Sequence, residues 1–419
     1  MIYNILIRLY SFSVRLASVF NPKARFFVKG RKNIFKKINQ SIDKSQQIIW
    51  FHCASLGEFE QGRPVIETLK QKYPQYKILL TFFSPSGYEV RKNYAGADYI
   101  FYLPIDTRRN AIKFIKTVNP KLVFFVKYEF WYHYLNVLQK NKIPVYIFSA
   151  IFRKNQLFFK WYGGFYRNML QKFDFLFVQN TESKELLNSI NIKNVEIAGD
   201  TRFDRVYSIA SQAKNIPIID AFKQGKTTII AGSTWKPDEE LLVKFINSQN
   251  NNELKYIIAP HEIFVENIER IEKAIKKKTL RFSKADERNV LEAQVIIIDN
   301  IGMLSSLYKY GDIAYIGGGF GKGIHNVLEA ATFGLPLFFG TNYHQFNEAV
   351  QLVNLKAAFV VNNFSDLEIN FKNLLANKKL LESTGEKSKK HVVSNLGATG
   401  KIVTKCEKNL SQNQYAKTP

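Results

Sequence analysis

The chain has 419 residues, 46% of them hydrophobic, which is too long for one ordinary domain and ample for two buried cores. Only two cysteines, Cys53 and Cys406, are present, which excludes a disulfide framework and a C-x-x-C metal site and points to a reducing, cytoplasmic compartment. With 60 Lys and Arg against 35 Asp and Glu, the formal charge is +25, so the partners are anionic: nucleic acid, anionic lipid or phosphorylated substrates.

In the opening stretch MIYNILIRLYSFSVRLASVF, the polar residues Asn4, Arg8, Ser11, Arg15 and Ser18 recur every three or four positions. A helix gathers them into one stripe on an otherwise apolar cylinder. Two arginines in mid-segment argue against a spanning helix, which wants about 20 mainly apolar residues. No unbroken apolar run ends in a cleavage site, so a signal peptide does not fit either. An interfacial helix does. Behind it, Asn21–Gln46 carries eight Lys and Arg and a single acid, Asp43. Residues 1–46 therefore read as a membrane-associated helix and polybasic segment on an anionic membrane surface; the competing reading is a helix packed on the protein's own core.

The remainder alternates short apolar runs with helical patterns. The runs IIWFHCA, KILLTFF, YIFYLPI, KLVFFV, PVYIFSA and FLFVQ fill the first half, and TTIIAGS, KYIIAPH, QVIIID, IAYIGGG, PLFFG and AAFVV the second. Continuous rather than alternating apolar character predicts parallel strands covered on both faces, hence two doubly wound α/β domains. The boundary is expected in Asp204–Gly225, giving domains over 47–205 and 206–419, with the last helix a candidate to return to the first domain. Ligands of such sheets sit beyond the carboxyl ends of the strands, and two facing domains also make a cleft.

Two strand-to-helix loops carry candidate chemistry. In HCASLGEFEQGRP, Ser55 and Glu58 have the S-x-x-E form of a capping box, yet Gly57 weakens a first helical turn and leaves space beside the Glu58 carboxylate, the access a general base needs. In IGGGFGKGIHNVLEAATFGLP, five glycines crowd between a strand and a helix. The loop matches neither G-x-G-x-x-G nor a Walker motif. Glycines let backbone amides approach a phosphate, and Asn326 and Glu329, three apart, share a helix face suited to ribose hydroxyls; the competing reading is a tight turn capped by Asn326. Other signals are empty. HEIFV at His261 lacks the second histidine of a zinc protease, no G-x-S-x-G elbow occurs, and no nucleic-acid-binding signature is found. Ala150–Lys172 mixes aromatics with Arg153, Lys154, Lys160 and Arg167, suiting either acyl chains and phosphates or a solvated helix face.

In order, HCASLGE, SPSG (Ser84–Gly87), YEFW (Tyr128–Trp131), GDTRFD (Gly199–Asp204), AGSTW (Ala231–Trp235), DNIGML (Asp299–Leu304) and GGG…HNVLEAA resemble the 3-deoxy-D-manno-octulosonic acid (Kdo) transferases of lipopolysaccharide synthesis, over nearly the whole chain. The resemblance implies a GT-B glycosyltransferase at the cytoplasmic face of the inner membrane of a Gram-negative bacterium. It would move Kdo from CMP-Kdo to the lipid A precursor lipid IVA, with inversion and without metal or cofactor. The first domain would take the acceptor and the second the donor. The family's catalytic glutamate falls on Glu58. Its CMP contacts fall on Pro260 and His261, on Ile301, Gly302 and Met303, and on Asn326, Val327, Leu328 and Glu329; Glu129 and Arg202 are supporting residues. His261 stands where many members have Arg, Met303 where many have Glu, Lys127 where an earlier Glu is common, and Tyr132 where a Pro is. Rival readings are another sugar-nucleotide enzyme of this architecture, a UDP-sugar transferase or epimerase, and a non-catalytic basic membrane-binding protein.

Overall fold

The continuous apolar runs become parallel strands buried on both faces. The computed structural model describes residues 2–250 and 253–411, which divide into two units: one over Met1–Arg205 together with the chain from Leu396 onward, the other over Val206–Asn395. In the first unit, β1 (Gln47–Cys53), β2 (Tyr76–Phe82), β3 (Tyr99–Tyr102), β4 (Pro120–Val126), β5 (Val145–Ala150), β6 (Phe175–Val178) and β7 (Val195–Ile197) pair in the order β3-β2-β1-β4-β5-β6-β7. Every pairing is parallel. Along β1, Ile48 and Trp50 enter one core with Phe114, Phe125 and Tyr134, while Ile49, Phe51 and Cys53 enter the opposite one with Phe124 and Phe148. No polar face survives because helices cover both sides. Each fully buried Phe contributes about 1.5–3 kcal/mol relative to exposure.

In the second unit, β8 (Thr227–Thr234), β9 (Leu254–Pro260), β10 (Thr279–Arg281), β11 (Val295–Ile297), β12 (Ile313–Ile316), β13 (Leu337–Gly340) and β14 (Ala358–Val361) form a second seven-stranded sheet, ordered β10-β11-β9-β8-β12-β13-β14. Each sheet thus has one strand more than its six apolar runs predict. The additions, β7 (VEI) and β10 (TLR), are three residues long and each includes a charged residue, so neither makes a recognisable run. Strand order reverses between β1 and β4 in the first sheet and between β8 and β12 in the second, so the crevices expected for ligands lie at the carboxyl ends of those strands.

The amino terminus forms α1 (Ile2–Ala17), α2 (Pro22–Arg31) and α3 (Ile34–Ser41), followed by α4 (Leu56–Lys72), α5 (Pro85–Arg91), α6 (Arg108–Val118) and α7 (Tyr132–Lys140). Residues 1–46 are not an appendage: Phe27, Ile34, Ile38 and Ile42 are buried, and Ile34, Ile38 and Ile42 join the core of the first unit. Helix α1 has no buried residue. Its half-buried positions, Tyr3, Ile7, Ser11, Val14 and Ser18, follow one face. Tyr3 Oη donates to Asp106 Oδ2 at 2.5 Å, Asn4 Oδ1 lies 2.5 Å from His133 Nε2, and the Tyr3 ring packs on Tyr132 and Phe165. Ile5, Leu6, Leu9, Phe12 and Leu16 point outward, 56–59% exposed. The face turned to the protein mixes Tyr3, Ile7, Ser11 and Val14, while Asn4, Arg8 and Arg15 are exposed beside the outward apolar residues, so the surface left to solvent is largely apolar, unlike that of an ordinary surface helix. Among the described residues, no helix is long and apolar enough to cross a membrane.

The expected second domain of 206–419 is shortened by its last helix. Helix Ala398–Ser411 belongs to the first unit, where Ile402, Val403, Cys406 and Leu410 enter the core with Phe51. Asp204 anchors its start, Oδ1 accepting from Gly397 N and Oδ2 from Thr399 N, both at 2.7 Å. A carboxylate at a helix N-terminus satisfies free amides and complements the helix dipole.

Candidate active site

At the carboxyl end of β1 the chain turns through Ser55 into α4, and Glu58 stands in its first turn. Glu58 Oε2 accepts from Ser55 N at 3.1 Å and from Ser55 Oγ. The capping box is therefore real, yet it uses only one carboxylate oxygen: Oε1 has no hydrogen-bond partner among the described residues, and the side chain is half-buried. A Cβ at exposed Gly57 would meet nothing closer than Ser55 Oγ at 3.8 Å; the space beside the carboxylate is open. The two readings of Ser55-x-x-Glu58 are thus compatible.

The neighbouring strand β4 is followed by Lys127, at φ +70, and then by Tyr128, Glu129 and Trp131. Tyr128 accepts from Arg153 Nη1 at 3.3 Å; burial pushes its hydroxyl pKa up, opposed by Arg153 and reinforced by Glu58. Glu129 is buried, its Oε2 accepting from Trp131 Nε1 at 2.6 Å and lying 3.1 Å from His52 Nε2. The Cys53 thiol is held well above its usual range by burial and then by Glu58, Glu129 and Glu60, which marks it as an inert structural thiol. Arg202 is engaged locally, its Nε and Nη2 donating to Asp200 Oδ2 at 3.0 and 2.8 Å. Burial raises the Asp200 carboxyl, but the charge and hydrogen bonds of Arg202, with a bond from Gln61, outweigh it and hold Asp200 below the ordinary value. This is the geometry of a structural ion pair.

In the second unit the three segments marked for cytidylate lie along one edge of the sheet: Pro260 and His261 end β9, Ile301–Met303 follow β11, and Asn326–Glu329 follow β12. Ile301 is 87% exposed. Gly302 has φ +97, and a Cβ there would meet nothing within 4 Å, so the backbone turn is open to solvent. The Val327 and Leu328 side chains are buried, as is Pro260, so these three offer a ligand only backbone groups. Asn326 caps its own turn, Oδ1 accepting from Leu328 N at 3.2 Å while Nδ2 donates to Glu329 Oε1 at 3.0 Å. The helix that follows, Leu328–Thr332, has only five residues, so any anion binding there rests on individual amides rather than on a long helix dipole.

The glycine run has a packing cause. A Cβ at Gly317 would stand 2.2 Å from Ser233 O, and one at Gly319 would stand 2.4 Å from Gly340 N. Asp238 pins the loop, accepting from Gly318 N, Trp235 N and Tyr315 Oη, each at 2.9 Å. The loop borders a cavity of about 390 Å³ lined by Trp235, Asp238, Phe320, Gly321 and His325. His261 stacks on both Trp235 and His325, ring centroids 4.5 and 4.6 Å apart, and Trp235 Nε1 donates to His325 Nε2 at 3.0 Å. Burial, then His261, lowers the pKa of His325. An imidazole that accepts an indole N–H through Nε2 is neutral.

The first unit has three further cavities, two of them bordered by α1. Two, of about 720 and 770 Å³, share Arg108, Ile112 and Lys116 and include Lys140 in one and Arg8, Arg109 and Lys113 in the other. Among the described residues, the only acid lining either is Asp106, already taken by Tyr3 and by the amides of His133 and Tyr134. The third, about 670 Å³, is bordered by Leu6, Phe130, Leu157, Phe158, Phe165 and Met169. No group of three or more potential ligands that could hold a metal occurs among the described residues. Sequence reasoning missed His52, Trp235 and His325 as site neighbours. His52 and Trp235 fall inside the quoted motifs, each at a strand end of its own unit, but a histidine shows itself in a sequence through metal-ligand spacing, and ring stacking leaves no spacing signal.

The family model of 3-deoxy-D-manno-octulosonic-acid transferase (kdotransferase) matches residues 28–205. A 3-deoxy-D-manno-octulosonic acid transferase of Aquifex aeolicus is 30% identical over 353 residues, covering 83% of this chain and 91% of its own. One from Haemophilus influenzae is 26% identical over 414 residues, covering 96% and 95%. Among solved structures, UDP-GlcNAc 2-epimerase from Neisseria meningitidis, bound to UDP-GlcNAc, superposes with a TM-score of 0.59 at 17% identity, covering 88% of this chain and 100% of that one. At that identity the likeness concerns the two-domain GT-B fold.

Proposed function

The chain belongs to the Kdo transferase family and is a glycosyltransferase; from that premise we propose that it moves Kdo from CMP-Kdo to lipid IVA with inversion, Glu58 serving as the general base. The observation that carries the proposal is the division of labour within Glu58: Oε2 is fixed by Ser55, while Oε1 is unbonded among the described residues. A base needs both a fixed orientation and a free lone pair. Oε1 would take the proton of a primary hydroxyl of the acceptor as that oxygen attacks the anomeric carbon opposite the leaving CMP. The transition state has oxocarbenium character. CMP departs as a phosphate monoester, so donors for its developing charge matter more than a general acid. Backbone groups of Gly302 and of Asn326–Leu328, with the exposed His261, are the donors proposed for it, and the Glu329 carboxylate would accept from the ribose.

Placement on the cytoplasmic surface of the inner membrane is supported by the outward apolar face of α1 and the basic cavity it borders. Exposed apolar side chains enter the interfacial region while Arg8, Arg108, Arg109, Lys113 and Lys116 meet lipid phosphates. The apolar cavity beside Leu6 and Phe165 would suit an acyl chain of the acceptor.

The test is purified protein with lipid IVA and fresh CMP-Kdo, products read by mass. A mass gain of one or more Kdo units is expected. Glu58→Ala should abolish transfer with CMP binding retained. Loss of CMP binding and of folded protein together would reduce Glu58 to its capping role, and absence of any Kdo adduct with wild type would overturn the donor or acceptor assignment.

A further inference from the structure

The second sheet reverses its strand order between β8 and β12, and the cavity of about 390 Å³ lies at that reversal. Its walls come from the segment after β8, with Trp235 and Asp238, and from the glycine loop after β12, with Phe320, Lys322 and His325. Ligands of doubly wound sheets bind at such a point. The residues proposed for cytidylate reach the rim of this cavity without lining it: Asn326 follows His325 directly, and the His261 ring stacks on Trp235 and His325. The cavity is therefore left for the part of a donor that lies beyond its phosphate.

Few groups decide its charge. Asp238 is buried, and its oxygens accept from Tyr315 Oη, Gly318 N and Trp235 N, so it is occupied in holding the loop. His325 accepts the Trp235 N–H through Nε2, the arrangement of a neutral ring. Lys322 is exposed, and its side chain has no ion pair or hydrogen bond among the described residues. It is the one uncompensated charge bordering the cavity. Its backbone is nonetheless fixed from the segment after β13. Gln345 Nε2 donates to Lys322 O at 3.1 Å, Asn342 Nδ2 to Gly321 O at 2.7 Å and Asn342 N to Gly319 O at 2.8 Å. The Trp235 N–H is already taken, so Trp235 and Phe320 offer a ligand ring surface.

We propose that this cavity is the subsite for the sugar of the donor and that Lys322 selects an acidic sugar, its ammonium pairing with the sugar carboxylate while apolar faces of the sugar rest on Trp235 and Phe320. This rests on the donor assignment made above and names a residue outside the set marked for cytidylate. Kdo is a 2-keto acid whose carboxylate is bonded to the anomeric carbon. In the donor that carboxylate lies next to the phosphate, as the cavity lies next to Asn326–Glu329. A neutral sugar would forgo the pairing, so the same cation discriminates between donors.

The test measures steady-state transfer to lipid IVA, and CMP affinity by calorimetry, on the same preparations of the full chain in detergent. Lys322→Gln removes charge from a side chain that bonds to nothing else, so its unfolding midpoint should match that of wild type. It should lower kcat/KM for CMP-Kdo by about tenfold or more, the size of one charge-assisted hydrogen bond, with the Kd for CMP unchanged. Lys322→Arg should keep most of the activity. An equal loss of CMP affinity would make Lys322 a phosphate ligand and overturn the proposal. So would an unchanged kcat/KM, or an arginine variant as poor as the glutamine one. A wild type that transfers no Kdo would sink the donor assignment and the subsite with it, whereas an active wild type beside an unaffected Lys322→Gln strikes the subsite alone.

Discussion

The outward apolar face of α1 gives a prediction with opposite signs for folding and for membrane binding. Leu6, Leu9 and Phe12 are 56%, 58% and 59% exposed, so replacing all three with Ser removes little buried surface from the folded chain. Full burial of such a side chain is worth about 1.5–3 kcal/mol. Inserting the exposed half of each into a bilayer interface is then worth about 1 kcal/mol, or about 3 kcal/mol for the three, a factor of about 100–200 in partitioning. Cosedimentation with anionic vesicles at fixed salt measures the partition coefficient, and thermal unfolding measures the fold. The triple variant should bind about a hundredfold more weakly with its unfolding midpoint unchanged. If the midpoint fell while vesicle binding held, α1 would be packing on protein in solution and the argument from its outward apolar face would be refuted. Raising the salt should weaken binding of wild type and variant alike, because the basic cavities contribute separately.

Gly317→Ala should destabilise the second unit by about 3 kcal/mol or more, because its Cβ would stand 2.2 Å from the backbone oxygen of Ser233 and neither chain can retreat; denaturant unfolding checks this, and a neutral result would mean the loop is looser than described. Asp204→Ala removes the acceptor of two amides at the start of helix Ala398–Ser411 and should cost about 1–2 kcal/mol, read as earlier proteolysis of the carboxyl-terminal helix. His325 has its pKa lowered by burial and by His261, so the neutral ring is favoured on folding. The stability it contributes is complete above the unfolded value of about 6.5 and is lost as pH falls through the lower folded value. The unfolding midpoint of wild type should accordingly drop on acidification below about pH 6.5 more than that of His325→Gln, whose side chain cannot titrate; parallel curves would refute this.

Much of the architecture was legible in the chain. A strand covered on both faces must be apolar at successive positions, so β1, β2, β4, β5, β8 and β9 announced themselves as unbroken runs, and with them the parallel α/β class. Ser55-x-x-Glu58 likewise declared a helix start, since capping is a local affair of a few residues. Other features were out of reach because they depend on partners distant in sequence. Strands β7 and β10 are strands only because a neighbouring sheet edge pairs with three residues that have no apolar run of their own. The return of helix Ala398–Ser411 to the first unit was open in the sequence but decided by Asp204, almost 200 positions earlier.

Residue type and short-range periodicity, then, were enough for the fold class, the family motifs and the amphipathic character of α1, because each of these is written within a few turns of chain. Tertiary structure alone decided which way α1 faces, which oxygen of Glu58 stays free, and that the buried His52 ring sits between Thr81 and Glu129. The reason is physical: hydrogen bonds and charge compensation in a buried site act over about 3 Å of space, a distance that parallel pairing sets between β1, β2 and the end of β4 and that no count of residues along the chain encodes.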